Sequence, residues 1–275
     1  MPARRVVFSK SVSLMVAGVL LGACAGSPGR APHGALRFVD TETAGRLRHA
    51  AAVGRGTSAL APAATRAVVA SMLAESVPVL LVLLGSDNAV GELEERLVEC
   101  AIQAERRVNA EFFGNRAPTR KECGEEVDVD GCGARITRAM VLGQRKHEVA
   151  LQCSREVLEK LWQRPYSIEQ RYRYYPNARF LGAVTRQEEA RLIKEGCTQE
   201  LWRTIKPDLV LHENRDPLRS VLTLDFKFPC PDTNEPRWTR YGESSAYANS
   251  TQGEVYKDAL GGEPFLISPE RGVTR

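Results

Sequence analysis

The chain has 275 residues, with 38 basic against 34 acidic side chains, 43% hydrophobic content and 26% charged residues. That balance excludes a disordered, collagen-like or polytopic membrane chain, and the length suffices for a core that folds without metal staples. The formal net charge of +4 neither demands nor excludes a nucleic-acid partner. With only eight lysines, each one inside a strand or motif is informative.

Residues 1–24 carry Arg4, Arg5 and Lys10, an apolar run from Ser11 to Leu21, and then Leu21-Gly22-Ala23-Cys24. A positive start, a short apolar middle and small residues before a break meet the physical needs of a secretory signal. The run is too short to span a bilayer comfortably as a helix. Its ending resembles the lipobox of bacterial lipoproteins, which implies lipidation at Cys24 and an exported protein anchored in the cell envelope. Ala25 after the cysteine, rather than Asp, is similar to the outer-membrane sorting pattern. The alternative is a cleaved signal with an incidental cysteine.

Six further cysteines, Cys100, Cys123, Cys132, Cys153, Cys197 and Cys230, suggest disulfides in an exported chain. No CxxC pair is present and only four histidines exist, which argues against structural zinc. Cys123 and Cys132 bracket a short Gly- and acid-rich loop and form a candidate local pair; the other pairings stay open.

Residues 25–65, rich in Ala, Gly, Pro and Arg, read as a tether. Residues 66–133 read as a helical region. It opens with an apolar run, Ala67 to Leu84, interrupted by Glu75 and Pro78. The length is close to that of a membrane-inserting segment, but the two interruptions favour a buried helix plus strand. From Asn88 to Phe113, Val90, Leu93, Leu97, Val98, Ala101, Ile102 and Val108 recur at helical spacing. The stretch 114–134 reads as a loop. Its Glu126, Asp128, Asp130 and Gly131 are partly similar to a calcium loop, but the first position lacks Asp and the twelfth is Thr137, so a solvated acidic loop is expected.

The unit from 134 to 275 opens with a second helix, 134–163, with Met140, Leu142, His147, Leu151, Val157, Leu158 and Leu161 available for packing and Pro165 as its stop. Pro165 to Arg179 interleaves tyrosine and arginine and holds four of the seven tyrosines: Tyr166, Tyr172, Tyr174 and Tyr175. This pattern fits a strand with one aromatic and one cationic face, either a nucleic-acid surface or the edge of the core. Residues 185–195 read as a short charged helix.

The segment Ile205 to Pro229 carries the chemistry. Leu209-Val210-Leu211 is a short apolar strand, Asn214, Asp216 and Pro217 mark a turn, and Ser220 to Phe228 is a second strand. With the turn at 213–219, paired residue numbers sum to 432, which sets Asp208 opposite Leu224, one residue from Asp225. Asp225 and Lys227, two apart, point to one face. Two carboxylates suit Mg²⁺, which keeps several waters and also takes a phosphate oxygen. Such a cation polarises a phosphodiester and acidifies water, and a nearby ammonium neutralises developing charge.

Pro207-Asp208 followed by Asp225-Phe226-Lys227 resembles the signature of the PD-(D/E)XK nuclease superfamily, and Gln252-Gly253-Glu254-Val255-Tyr256 is similar to the Q-x-x-x-Y helix motif of its exonuclease-like branches. Residues 263–268 then read as a final strand. The resemblance covers about residues 140–275 and implies an α/β restriction-endonuclease-like core, a small mixed sheet flanked by helices, behind the helical region. It implies Mg²⁺ held by Asp208 and Asp225, Lys227 as the catalytic ammonium, and Gln252 and Tyr256 on nucleic acid, with Lys257 beside them. The family adds a glutamate from a helix before the first core strand. Glu148 in the Leu142–Glu148 stretch is the first choice, with Glu156, Glu159 and Glu189 as the others. Segment 176–205 departs from a minimal core and reads as an insertion, and Cys197 and Cys230 flank the hairpin as a second candidate disulfide.

The expected function is an exported, Mg²⁺-dependent nuclease with DNA favoured over RNA. An anchored front and a C-terminal nuclease are similar to polymorphic toxins, which would imply an immunity protein as partner. The alternative is a non-enzymatic, disulfide-braced envelope lipoprotein acting as a binding or scaffold module.

Overall fold

The computed structural model describes residues 71–196 and 199–275. The expected signal, the lipidation at Cys24, the tether, the start of the 67–84 run and Cys197 lie outside the described residues.

Two short helices open the described chain, α1 (Met72–Ser76) and α2 (Val79–Leu84). The expected strand in this run is a helix instead: Pro78 sits at the N-cap of α2, where its missing N–H costs nothing. Leu73, Val77 and Leu80 are buried in the main core, in line with the buried alternative for this stretch. Among the described residues no helix is long and apolar enough to cross a membrane. Helix α3 (Asp87–Phe113) starts on Ser86, whose side chain accepts from Ala89 N, and ends on Gly114 in the left-handed conformation.

Residues 114–134 are more ordered than the expected loop. A capping box of Thr119 and Glu122 starts α4 (Arg120–Cys123), and β1 (Glu126–Val129) pairs with β2 (Arg135–Thr137) as a hairpin. Asp130 closes its turn by accepting from Cys132 N and Ala134 N. Helix α5 (Arg138–Leu161) follows, capped by Thr137.

The remaining described residues build two sheets. The strands are β3 (Tyr166–Ile168), β4 (Tyr172–Tyr175), β5 (Phe180–Ala183), β6 (Thr204–Ile205), β7 (Leu209–Leu211), β8 (Leu222–Phe226), β9 (Glu263–Ser268) and β10 (Gly272–Thr274). Helices α6 (Arg186–Glu195) and α7 (Gln199–Trp202) lie between β5 and β6, and α8 (Gln252–Leu260) lies between β8 and β9. The larger sheet has the order β10-β9-β8-β7-β3. Its strands pair antiparallel except β8 with β9, which are parallel and joined through α8. The smaller sheet, β5-β4-β6, is formed within and beside segment 176–205.

Alternation along the strands divides the core into two layers. Leu209 and Leu211 of β7, Leu222, Leu224 and Phe226 of β8, and Phe265 and Ile267 of β9 join Leu93, Leu97 and Ala101 of α3 and Ala150 and Leu158 of α5. Val210 points the other way and joins Val255, Tyr256 and Leu260 of α8 with Tyr172 and Tyr174 of β4. Burial on both faces explains the continuous apolar runs of β7 and β8. Each fully buried Leu or Phe contributes roughly 1.5–3 kcal/mol. The tyrosine face of β4 is therefore core: Tyr172 and Tyr174 are buried, and Arg173 between them donates to Glu188 of α6 at 2.7 Å.

Two disulfides correct the pairings expected from proximity in sequence. Cys100 of α3 bonds to Cys153 of α5, and Cys123 bonds to Cys230. Neither a Cys123–Cys132 nor a Cys197–Cys230 bridge is formed, because both Cys123 and Cys230 are used in the second bond; Cys132 is also disulfide-bonded. The second bridge ties the end of α4 to the chain leaving β8.

Candidate active site

The site forms where β7 and β8 meet the N-terminus of α8. Leu209 pairs with Leu224, Val210 with Thr223 and Leu211 with Leu222, so paired numbers sum to 433 and Asp208 falls level with Asp225. The expected register was one residue short. The connection is drawn in by two side-chain turns, in which Asn214 Oδ1 accepts from Asp216 N at 2.8 Å and Asp216 Oδ1 from Leu218 N at 3.0 Å. Because Leu224 and Phe226 fill the core beneath α3 and α5, Asp225 faces α8. Lys227 N donates to Ile267 O, which keeps the strand in line past its last core residue.

Both carboxylates are buried, Asp208 at 8% exposure and Asp225 at 3%. Asp208 Oδ2 accepts from Phe226 N at 2.7 Å and lies 3.1 Å from His147 Nδ1. Asp225 Oδ1 accepts from Lys227 Nζ at 2.5 Å, and its Oδ2 lies 3.2 Å from Tyr256 Oη and 3.4 Å from Gln252 Nε2. Lys227 Nζ also donates to Gln252 Oε1 at 2.8 Å. Gln252 Nε2 donates to Tyr256 Oη at 2.6 Å. A hydroxyl has one proton to give, so Tyr256 serves Asp225 or the Lys206 carbonyl, 3.3 Å away, but not both.

These environments drive the two acids apart. Burial raises Asp208, but the charge and hydrogen bond of His147, the charge of Lys227 and the Phe226 N–H outweigh it and hold the carboxyl below its ordinary range. Burial also raises Asp225, and the neighbouring Asp208 charge adds to it; Lys227 offsets this only in part, so Asp225 stands above the ordinary range. His147 is pulled down by burial and lifted further by Asp208 and Asp225, against Lys227, with a net rise.

Asp208, Asp225, Lys227, Gln252 and Tyr256 thus come together. Gln252 and Tyr256 are buried and hold Asp225 and Lys227 instead of presenting an open face to nucleic acid. Lys257 is outside the site, paired with Glu263 at 2.7 Å on the exposed side of α8. Glu148 is outside it too: its half-exposed side chain accepts from Arg145 at 3.0 Å and lines a groove with Arg107 and Glu111 of α3. Glu156 and Glu159 are exposed, and Glu189 is bound by Arg171 and Arg186.

The residue of α5 that reaches the carboxylates is His147, next to Glu148. One step along a helix turns the side chain by about 100°, enough to exchange the groove for the site. Its ring also meets Phe228 edge-on at 5.3 Å. A histidine beside the first-choice glutamate, in a chain with four histidines, was the signal available in the sequence.

His147 gives a prediction in the metal-free protein. Its folded pKa is raised, so the stability it lends is full below its unfolded pKa of about 6.5 and is lost as pH rises through the folded value. In EDTA, the difference in urea midpoint between the wild type and His147→Gln is expected to be larger at pH 6 than at pH 9. Equal differences at both pH values would contradict the charged pair with Asp208.

Among the described residues, no group of three or more His, Cys, Asp and Glu side chains is arranged to hold a metal ion. The site offers instead a pair of hard oxygen donors beside an ammonium. Comparison with protein-family models, curated proteins and solved structures finds no match for this chain.

Proposed function

We propose that the chain is a Mg²⁺-dependent nuclease of the PD-(D/E)XK type that hydrolyses phosphodiester bonds. The observation that carries this reading is the convergence of two buried carboxylates, Asp208 and Asp225, with the Lys227 ammonium at one end of the β7–β8 pair. The order α5, β3, β7, β8, α8, β9, with antiparallel strands before α8 and a parallel strand after it, supports the restriction-endonuclease-like core. The disulfides support export to an oxidising compartment.

The donor set fits Mg²⁺, which is commonly held by one or two carboxylates with waters and substrate phosphate making up the remainder. Asp208 and Asp225 would hold it. When bound, the ion would polarise the phosphodiester and supply a water acidic enough to attack at neutral pH.

The chain's own residues do the rest. His147 and the Phe226 N–H fix the orientation of the ionised Asp208. Gln252 and Tyr256 fix Asp225, and Gln252 shares Lys227 with it, so the ammonium is already aimed before substrate arrives. Lys227 places positive charge where negative charge grows on the phosphoryl oxygens, without reorganisation.

The test is incubation of the purified chain with DNA and with RNA, in Mg²⁺ or in EDTA. Cleavage is expected in Mg²⁺ and none in EDTA. Absence of cleavage of either polymer in Mg²⁺, or cleavage that persists in EDTA, would overturn the proposal.

A further inference from the structure

The chain between β8 and α8 crosses the site as a long loop, residues 227–251, and Trp238 is its inner anchor. The loop is fixed at one end by the Cys123–Cys230 bond. At the other end it is laid against the start of α8: Gln252 N donates to Thr239 O at 2.7 Å, Tyr241 N to Ser250 O at 3.0 Å, and Arg240 bridges Thr251. These bonds set Trp238 in place. The Lys227 Nζ lies 5.7 Å from its ring centroid, and the Tyr256 ring meets it edge-on at 6.0 Å.

Gly253 explains how the ring comes so close. A Cβ at this position would lie 2.7 Å from Trp238 Cε2, so the glycine of the Gln252-Gly253 pair leaves the space the indole fills. The indole is nevertheless only partly buried, whereas the carboxylates behind it are almost wholly so. The exposed Arg237 is paired with Glu235 at 2.6 Å and Arg240 donates to Asn249 O at 3.0 Å, so the cation nearest the ring is Lys227. A partly open indole 5.7 Å from the Lys227 ammonium combines the two elements that bind unpaired strands: a ring for a base and a cation for the backbone.

The recess of the carboxylates narrows the substrate further. Because Trp238 lies against Lys227, a phosphodiester drawn to that ammonium comes up against the indole. An unpaired strand bends to meet it at little cost, and its base is free to stack, whereas the bases of an intact duplex are already stacked on each other.

We propose that Trp238 is a base-stacking wall and that the site takes single-stranded nucleic acid, or an unpaired end, in preference to duplex. This rests on the nuclease reading for the identity of the polymer, but it concerns binding and is tested separately from cleavage. The probe is a twelve-residue oligothymidylate, compared with a blunt duplex of equal length, added to the disulfide-bonded chain in EDTA. Binding is followed by fluorescence anisotropy of a dye on the oligonucleotide and by quenching of tryptophan emission.

The expected results are tighter binding of the single strand than of the duplex, and quenching that is largely lost in Trp238→Phe. In Trp238→Phe the affinity should stay within about threefold, because a phenyl ring still stacks. In Trp238→Ala it should fall about tenfold for the single strand, the size of one base–aromatic stack. Recovery by Phe separates a stacking role from a loop that has come loose.

Equal affinity of wild type and Trp238→Ala for the single strand would overturn the proposal, as would equal affinity of the wild type for duplex and single strand. Mg²⁺-dependent cleavage with binding indifferent to Trp238 removes the stacking wall alone. Trp238-dependent binding without cleavage removes the nuclease reading alone.

Discussion

Replacing Lys227 by Ala is expected to lower Mg²⁺-dependent cleavage by roughly 10²–10³-fold, the loss typical of one preorganised charge-stabilising group. The ammonium is held between Asp225 at 2.5 Å and Gln252 at 2.8 Å, so it occupies one place instead of sweeping through solvent. Asp225→Asn should be at least as damaging. It keeps the shape but removes the charge proposed to hold Mg²⁺ and to partner Lys227, and its amide cannot accept on both sides as the carboxylate does.

Stability should respond differently from activity in this pair. Asp225 carries a raised pKa because burial and the Asp208 charge act against its ionisation. Taking that charge out removes the cost of burying it, which outweighs the attraction to Lys227 that is lost, so Asp225→Asn is expected to unfold at a denaturant concentration no lower than wild type in EDTA while being inactive in Mg²⁺. Parallel cleavage assays and urea titrations check both. Retention of more than a tenth of the cleavage rate in either variant would remove these groups from the reaction.

The second large effect concerns the Cys123–Cys230 bond, which spans 107 residues. Loss of a native disulfide costs about 2–5 kcal/mol, more for long loops in the chain-entropy account. Other bridges share this span, Cys132 within it being disulfide-bonded too, so the middle of that range is expected and not its upper end. The double substitution Cys123→Ser, Cys230→Ser is expected to lose about 3 kcal/mol in guanidinium titrations without reductant. Cleavage should also fall under conditions where the variant is folded, since Cys230 lies three residues after Lys227 and anchors the loop that carries Trp238. A loss below about 0.5 kcal/mol, the range of neutral surface changes, would mean that the bridge is incidental.

The two predictions draw on features that were unequally visible in the sequence. Asp225 with Lys227, and Gln252 with Tyr256, are local: periods of 2 and 3.6 put each pair on one face whatever the remaining fold does, and all four side chains do meet. Asp208 was legible to within one residue. Its register depends on how the 212–221 connection folds, and the side-chain turns of Asn214 and Asp216 decide that. A shift of one is the smallest error that matters in a sheet, and here it is the difference between Leu224 and Asp225 as the neighbour.

Features set by tertiary packing were not legible. The helical spacing over 134–163 matches α5, but which of His147 and Glu148 faces the sheet depends on the rotation of that helix. That rotation is fixed from outside, by Lys146 buried against Glu105 of α3 at 2.8 Å and by the Cys100–Cys153 bond. The tyrosine pattern of β4 suits a ligand face or the core equally, and only the packing of α8 against it makes it core. Cysteine pairing followed spatial and not sequence neighbours, so the compact pairings were the wrong ones.

The shared core of α3 with the sheet bears on how such a chain could be recombined. Leu93, Leu97 and Ala101 cover the same strands whose ends carry Asp208 and Asp225, and α1 contributes Leu73 to that layer. A cassette cut at residue 134 and joined to a different leader would arrive with one side of its sheet bare and with Cys230 deprived of Cys123. The smallest piece that could be exchanged between proteins as a working unit therefore starts no later than about Met72.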